Sequence, residues 1–360
     1  MGTTELFDPK YSVLPSLLKR YDRGKRQLAL GAKNRAELHR WRRAVTTKLK
    51  HLIGYHRCER APLNARITQQ IVSKDHVRQR VEIQTEPGVW MPFFVLIPHR
   101  AEPPFDAVIA AHGHSSGGKV AIVGDRVHKQ VAAAIKRFNY DYGLQFVRAG
   151  FIVFCPDARG FGERQEQHVR DNILKQSCEH INHMAHPLGQ TVTGMWAWDI
   201  HRLVDYIKTR EDCTPGKIGC VGLSGGGLQT LWSSALDTRI RCAIVSGYFY
   251  GYKQSLLTMY SNCSCNYVPQ LYDYVDMGDI GALIAPRPLM IETGSGDALN
   301  GASGVRNVKS QVRITRIAYR LLGAGAALKH VVFDGEHRWH GVDAADWMRR
   351  GLAVEQHAGQ

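Results

Sequence analysis

The sequence predicts an α/β protein whose mostly parallel central sheet has helices on both faces and is preceded by an N-terminal helical extension. From about residue 107 onward, short apolar runs alternate with segments of helical periodicity, which is typical of a parallel sheet built from strand–helix units. Before residue 70, apolar residues recur at three- and four-residue steps without strand-like alternation. We therefore divide the chain into a basic helical extension, residues 1–70, and an α/β domain, residues 71–360.

The composition is typical of a soluble globular protein. The chain has 360 residues, of which 44% are hydrophobic and 22% charged, so one large domain can bury a substantial core. No apolar run has the length of a transmembrane helix, and residues 1–8 lack the basic and apolar regions of a secretory signal. The eight cysteines are too sparse for a disulfide scaffold. We expect a cytoplasmic protein with reduced cysteines and no membrane partner.

Positive charge is concentrated near the N-terminus. The formal net charge is +15, and residues 1–60 contain fifteen lysines and arginines against five acidic residues. Such a segment could bind an acidic polymer, so a non-catalytic polyanion-binding protein is one alternative. No nucleic-acid-binding motif accompanies the charge, and solvated helix faces commonly carry lysine and arginine. We therefore expect no nucleic-acid partner.

The first elements are helices, and an antiparallel hairpin follows them. Leu38, Val45 and Leu49 fall on one face of a predicted helix. Residues 81–84 and 90–98 are strand-like and are joined through a Pro-Gly turn, which predicts a hairpin at one edge of the sheet.

Six apolar runs after the hairpin predict strands of the parallel sheet: residues 107–111, 151–155, 218–221, 241–245, 288–292 and 330–333. Helical periodicity between them predicts helices over residues 136–149, 196–207 and 228–236. Two insertions, near residues 163–194 and 248–279, follow strand ends. Because an open α/β sheet exposes its site at the carboxyl ends of the strands, we expect both insertions to wall a pocket.

Ser224 lies in a motif that suits a nucleophile. Gly222-Leu-Ser-Gly-Gly226 matches G-x-S-x-G and stands between a predicted strand and a predicted helix. The sharp turn of such a motif holds the serine in strained geometry, and side chains at the flanking glycines would collide across it. The helix N-terminus directs N–H groups and partial positive charge toward the position where an acyl-transfer reaction develops an oxyanion. We interpret Ser224 as a catalytic nucleophile.

A serine hydroxyl needs a base, and the base needs a carboxylate that fixes its tautomer. In proteins with this motif, the chain order is serine, acid, histidine. Asp297, in a turn after the strand at residues 288–292, is the predicted acid, and Glu292 within that strand is the alternative. His337, in a tight loop after the last strand, is the predicted base, and His340 is its competitor.

Two backbone N–H groups are expected to form the oxyanion hole. One is that of Gly225, directly after the nucleophile, and the other is that of His114 or a neighbour, in the loop after the strand at residues 107–111. His112 and His114 could instead bind a metal, but no acidic residue or cysteine stands at a supporting spacing.

Other metal motifs are equally incomplete. The segment from Cys178 to His186 contains three histidines at three-residue steps, but it lacks the H-E-x-x-H arrangement and is followed by a proline. Cys263 and Cys265 are closer together than in the usual zinc or redox motifs and are interpreted as structural. We expect neither a metal nor a cofactor.

With these residues placed, the chain resembles the α/β-hydrolase superfamily, and within it the branch of dienelactone-hydrolase-like and acetyl-xylan-esterase-like proteins. The resemblance spans about residues 70–350 and rests on six marks: His112-Gly113, Asp157-Ala-Arg159-Gly-Phe-Gly162, Trp198-Asp199 with Arg202, Gly222-Leu-Ser-Gly-Gly226, Gly296-Asp297 and Gly335-Glu-His337. The resemblance implies that Asp157, Arg159, Asp199 and Arg202 are structural ion-pair elements.

The resemblance also implies an activity: hydrolysis of carboxylic esters without a cofactor, with Ser224 as nucleophile, Asp297 as acid and His337 as base. The expected partner is a small-molecule ester, with acetylated carbohydrate as one substrate class. An acyltransferase, a thioesterase or a peptidase would use the same three residues and stays an alternative. A homo-oligomeric state stays open.

Overall fold

A nine-stranded sheet forms the centre of the protein in a computed structural model that describes residues 8–259 and 262–354. The spatial order of the strands is β1-β2-β3-β5-β4-β6-β7-β8-β9. Strands β4 to β9 are all parallel to one another, whereas β1, β2 and β3 run antiparallel to their neighbours. The strands are β1 (Arg66–Val72), β2 (His76–Glu86), β3 (Val89–Pro98), β4 (Phe105–Ala111), β5 (Ile152–Pro156), β6 (Cys213–Leu223), β7 (Ile240–Ser246), β8 (Leu289–Gly294) and β9 (Leu328–Phe333).

Helices connect the strands and cover both faces of the sheet. They are α1 (Leu14–Arg23), α2 (Arg35–Leu52), α3 (Lys119–Ile122), α4 (Lys129–Phe138), α5 (Tyr142–Arg148), α6 (Cys178–Ala185), α7 (Val192–Ile207), α8 (Gly225–Leu236), α9 (Leu271–Tyr274), α10 (Met277–Ala282), α11 (Val305–Leu321) and α12 (Ala344–Ala353). The predicted α/β architecture, with a mostly parallel sheet and helices at the N-terminus, is confirmed.

Three parts of the sequence interpretation fall on residues that the structure does not describe. These are residues 1–7, on which the expectation of no secretory signal depends, residues 260 and 261 of the second insertion, and residues 355–360 at the end of the α/β domain. Among the described helices, none has both the length and the apolar character needed to traverse a bilayer.

The edge of the sheet contains the predicted hairpin and one additional strand. β2 and β3 pair antiparallel through the Pro-Gly turn. β1 pairs with the outer side of β2, although six of its seven residues are exposed and several are polar. An edge strand can be held mainly by its backbone hydrogen bonds, so it does not need an apolar face. The sequence of β1 therefore lacks the apolar alternation by which a strand is predicted.

The single helix predicted over residues 136–149 is wrong, because two helices, α4 and α5, occupy this region. The break is at Asn139, whose φ is +56°, a left-handed conformation that asparagine tolerates at a helix C-terminus. The Asn139 side chain donates to the carbonyl oxygen of Trp339 at 3.0 Å, and the N–H of Trp339 donates to the carbonyl oxygen of Phe138 at 2.9 Å. The break therefore anchors the loop that contains His337.

The N-terminal helices pack against the sheet domain. Leu38, Val45 and Leu49 of α2 are fully buried and belong to the same apolar cluster as residues of α8 and α10. Asn34 caps this helix by accepting the N–H of Glu37 at 2.9 Å. The division of the chain near residue 70 stays a prediction, but the two parts share one core.

A buried ion network includes Arg164, at the start of the first insertion. Asp199 of α7 accepts hydrogen bonds from Arg159 at 2.8 and 2.9 Å and from Arg164 at 2.7 Å, and Arg159 also pairs with Glu86 at the end of β2. Burial alone would raise the pKa of Asp199, but the two guanidinium groups hold it well below its ordinary value. The network connects the loop after β5 to the sheet edge and to α7.

We expect Asp199→Ala to lower the free energy of unfolding by about 3–5 kcal/mol, because it leaves two buried guanidinium groups with too few anionic partners. Denaturant unfolding of the variant and the wild type measures the difference. Asp346→Ala is the matched control, since Asp346 pairs with Arg349 on an exposed helix face and should cost at most about 1 kcal/mol. Equal losses for the two variants would contradict a structural role of the buried network.

Candidate active site

Ser224 stands on a sharp turn between β6 and α8. Its φ is +59°, which is rare for a residue with a side chain, and its N–H donates to the carbonyl oxygen of Ser246 at 2.9 Å. The turn tolerates no side chain at either flanking position: a Cβ at Gly226 would lie 2.0 Å from the carbonyl oxygen of Ala111, and one at Gly222 would lie 2.3 Å from the backbone of Gly226. This geometry holds the serine at the carboxyl edge of the sheet, as the G-x-S-x-G pattern predicts.

Asp297 and His337 meet across two loops at the same edge. Asp297 follows β8, His337 follows β9, and Nδ1 of the histidine is 2.7 Å from Oδ2 of the aspartate. The other carboxylate oxygen accepts the N–H of Leu299 at 2.9 Å, which fixes the orientation of the Asp297 side chain. Because a carboxylate can only accept, the proton between the two residues belongs to Nδ1, and Nε2 of His337 is left as the basic nitrogen.

His340 and Glu292, the alternatives to His337 and Asp297 in the sequence, make other contacts. The ring of His340 stacks on Phe333 with centroids 4.5 Å apart. Glu292 is buried, and its carboxylate accepts the N–H groups of His340 at 3.3 Å and Gly341 at 2.9 Å. Burial raises the pKa of the Glu292 carboxyl. Glu292 therefore supports the backbone of the histidine loop, and Asp297 contacts the imidazole.

Two cavities meet at Ser224. The larger, about 720 Å³, is lined by Ser224, Asp297 and His337 and by charged residues of the surrounding loops. The smaller, about 210 Å³, is lined by Ser224, Gln176 of the first insertion and several residues of the second. Both insertions thus contribute to the walls around the serine, at the position expected from the strand ends.

The loop after β4 lies directly against the serine turn. A Cβ at Gly225 would be 2.7 Å from Nδ1 of His114, and a Cβ at Gly113 would be 3.2 Å from the Cβ of Ser224. Tyr140 donates its hydroxyl to the carbonyl oxygen of His114 at 2.8 Å, which fixes this peptide. The N-terminus of α8 and this loop therefore lie against each other beside Ser224, where an oxyanion hole needs its donors.

His112, an alternative metal ligand in the sequence, has a structural role. Its Nε2 accepts the N–H of Ala158 at 3.0 Å, and its Nδ1 is 3.0 Å from the carbonyl oxygen of Gly113. Burial lowers the pKa of His112, so the neutral ring donates from Nδ1 and accepts at Nε2. With both nitrogens engaged, His112 connects the loop after β4 to the loop after β5.

Three of the cysteines form a cluster with His114 that the spacing of these residues in the sequence does not predict. The three histidines of the segment from Cys178 to His186 do not form a group of converging ligand atoms, and the ring of His180 lies against that of His168. Cys178 itself lies beside Cys263, Cys265 and His114, and the potential ligand atoms of these four residues are within 4.8 Å of one another. Among the described residues, this is the group that could hold a metal ion.

The chain is similar in sequence to one curated protein and in structure to several esterases. YtaP of Bacillus subtilis (strain 168), a presumed hydrolase, is 27% identical over 230 residues, which are 61% of this chain and 70% of YtaP. A presumed acetyl xylan esterase from Bacteroides fragilis NCTC 9343 superposes with a TM-score of 0.73 at 16% identity, over 94% of this chain and 89% of the other. A glucuronoyl esterase from Solibacter usitatus gives a TM-score of 0.67 at 14% identity, over 92% of this chain and all of the other.

The sequence model of the Abhydrolase family matches residues 11–307. The match includes both N-terminal helices, the turn with Ser224 and residue Asp297, and it ends before the loop with His337. Because it covers most of the chain and agrees with the observed sheet, the chain belongs to the Abhydrolase family and has the α/β-hydrolase fold.

Proposed function

We propose that the protein is a serine carboxylic ester hydrolase in which Ser224 is the nucleophile, His337 the general base and Asp297 the carboxylate that orients the base. The observation that carries the proposal is the 2.7 Å contact between His337 and Asp297 in the cavity that Ser224 also lines. A neutral serine is a poor nucleophile, and this arrangement supplies the base that it needs.

In the first half of the reaction, Oγ of Ser224 attacks the carbonyl carbon of the ester while Nε2 of His337 takes the hydroxyl proton. The carbonyl oxygen becomes an oxyanion, which accepts hydrogen bonds from the backbone N–H of Gly225 and from that of His114. Asp297 stabilises the imidazolium and remains a carboxylate. The tetrahedral intermediate then expels the alcohol, which receives the proton from Nε2, and an acyl-enzyme on Ser224 remains.

In the second half, Nε2 takes a proton from water as the water oxygen attacks the acyl carbon. A second oxyanion forms in the same position, and its collapse releases the carboxylic acid and returns the proton to Oγ of Ser224. No cofactor is required, because the three side chains and two backbone donors supply every proton and charge that the two steps need.

The proposed substrate class is a small ester such as an acetylated carbohydrate. The larger cavity is lined by Arg137, Arg338, Asp334 and Glu336, and such polar groups suit a hydroxyl-rich alcohol portion. An acetyl group needs little space, and the smaller cavity of about 210 Å³, which Ser224 also lines, provides it. The names of the structural relatives, acetyl xylan esterase and glucuronoyl esterase, support esters of carbohydrate.

The experiment that tests this function is labelling with a fluorophosphonate, followed by peptide mass spectrometry and by hydrolysis assays on a panel of esters. We expect one adduct, on Ser224, together with loss of the hydrolysis of acetylated sugars. An active enzyme whose adduct lies on another residue would contradict the assignment. Capture of the acyl group by added alcohols, thiols or amines in preference to water would indicate an acyltransferase, and preferred turnover of thioesters or peptides would indicate a thioesterase or a peptidase.

A further inference from the structure

Three cysteine sulfurs and one imidazole nitrogen converge beside the proposed oxyanion loop. Nε2 of His114 is 3.4 Å from Sγ of Cys265 and 3.6 Å from Sγ of Cys178, and Sγ of Cys178 is 3.3 Å from Sγ of Cys263. We propose that these four side chains, the Cys₃His cluster, bind one zinc ion. The proposal replaces the expectation from the sequence that the protein has no metal, and it does not depend on the proposed esterase activity.

The spacing of the four atoms fits a tetrahedral zinc ion. Zinc bonds of about 2.3 Å to sulfur and about 2.0 Å to nitrogen place ligand atoms roughly 3.5–3.8 Å apart at the corners of a tetrahedron. The three short distances in the Cys₃His cluster are 3.3–3.6 Å, and all six pairs are within 4.8 Å. Small shifts of the side chains would therefore bring every ligand to bonding distance.

Neither hydrogen bonding nor a disulfide bond accounts for the convergence of these side chains. Thiols are poor hydrogen-bond donors and acceptors, so three of them around an imidazole gain little from one another. The two closest sulfurs are 3.3 Å apart, whereas a disulfide bond is about 2.05 Å long. Cys178 and Cys265 are buried, with 0% and 1% of their surface exposed, so zinc would be shielded from water on two sides.

Groups around the Cys₃His cluster support metal binding. The amide of Asn266 points toward Sγ of Cys265 at 3.7 Å and donates to the carbonyl oxygen of Cys263 at 2.9 Å. Amide donors of this kind stabilise the negative charge of zinc-bound thiolates. The rings of Phe161 and Trp196 meet the imidazole of His114 edge-on, with centroids 5.2 and 6.4 Å away. These contacts fix the imidazole plane with Nε2 toward the sulfurs.

The ligands come from three segments that are distant in the sequence. His114 belongs to the loop after β4, Cys178 begins α6 in the first insertion, and Cys263 and Cys265 belong to the second insertion. A zinc ion would therefore cross-link both insertions to the loop that supplies an oxyanion donor. The side chain of His114 would bind the metal while its backbone N–H faces the substrate, so the two roles do not conflict.

The chemistry of the ligand set indicates a structural metal. Three thiolates and one imidazole fill all four positions of a tetrahedral zinc ion and leave none for water or substrate. The zinc would contribute to stability by binding the folded chain more tightly than the unfolded chain. Substrate chemistry remains with the side chains already described.

The test is the metal content of the whole chain, purified under reducing conditions from cells grown with zinc. We expect one zinc ion per wild-type chain by elemental mass spectrometry, and a large loss in Cys263→Ser, whose partly exposed position tolerates the change. Cys58→Ser is the control, because Cys58 is a cysteine that contacts Gln190 and lies outside the Cys₃His cluster. It should keep one zinc ion.

A second measurement uses only the wild type, so that it does not depend on the folding of a variant. Removal of the metal with a chelator should lower Tm and expose Cys178, Cys263 and Cys265 to alkylation, and added Zn²⁺ should reverse both effects. Wild-type protein that contains no zinc and gains no Tm from added Zn²⁺ would overturn the proposal. A disulfide between Cys178 and Cys263 in folded protein that has not been treated with a chelator would overturn it as well.

Discussion

Replacing Ser224 with alanine is expected to lower kcat for a small acetate ester by about 10⁴-fold or more. The reason is that the variant lacks the oxygen that forms the acyl-enzyme, and the residual rate then depends on binding and oxyanion stabilisation alone. Alanine has the same Cβ as serine, so the strained backbone with φ of +59° is no worse than in the wild type. The free energy of unfolding should therefore change by less than about 0.5 kcal/mol.

The matched control for this variant is Ser295→Ala. Ser295 is exposed, stands two residues before Asp297, and donates to Asp334 at 3.3 Å without lining the cavity at Ser224. We expect it to keep near wild-type kcat. Both variants are compared by steady-state kinetics and thermal unfolding. Hydrolysis by Ser224→Ala at the wild-type rate, after exclusion of contaminating esterases by fluorophosphonate treatment, would show that another residue is the nucleophile.

The sequence predicts the centre of this fold well because local and global signals agree there. The apolar runs before Ser224 and before Asp297 are buried strands, and their short length and the turn residues beside them identify them as such. The motif around Ser224 fixes a turn, and the chain order then limits the acid and the base to loops after later strands. Asp297 and His337 are 40 residues apart in the sequence, but adjacent parallel strands bring their carboxyl ends together.

Features that depend on tertiary contacts are harder to predict. The break at Asn139 interrupts a helical pattern that is continuous in sequence, and the hydrogen bonds between this region and Trp339 become visible only in three dimensions. The Cys₃His cluster is a stronger case. His114 is 64 residues from Cys178 and 151 from Cys265, so no short spacing pattern could reveal it. A search limited to short metal-binding motifs therefore misses these four residues, although the fold brings them together.

The second large effect is expected for Asp297→Asn, which should lower kcat by about 10⁴-fold. An amide in place of the carboxylate can donate to Nδ1 of His337, and that bond favours the tautomer with its proton on Nε2. The base is then unavailable to Ser224, although the shape of the side chain is unchanged. The rate of fluorophosphonate labelling should fall together with kcat, whereas loss of folding alone would appear as a lower Tm.

Glu292→Gln provides the comparison that decides between the two candidate acids. Glu292 accepts hydrogen bonds from the backbone of His340 and Gly341, and the carbonyl oxygen of glutamine can still accept one of them. Its kcat should therefore fall much less than that of Asp297→Asn, and any loss should accompany a lower Tm because the histidine loop is less well supported. If the order were reversed, with Glu292→Gln inactive at an unchanged Tm and Asp297→Asn active, the carboxylate that orients His337 during the reaction would be Glu292. The 2.7 Å contact of Asp297 with Nδ1 predicts the opposite order, because only a group bonded to the imidazole can select its tautomer.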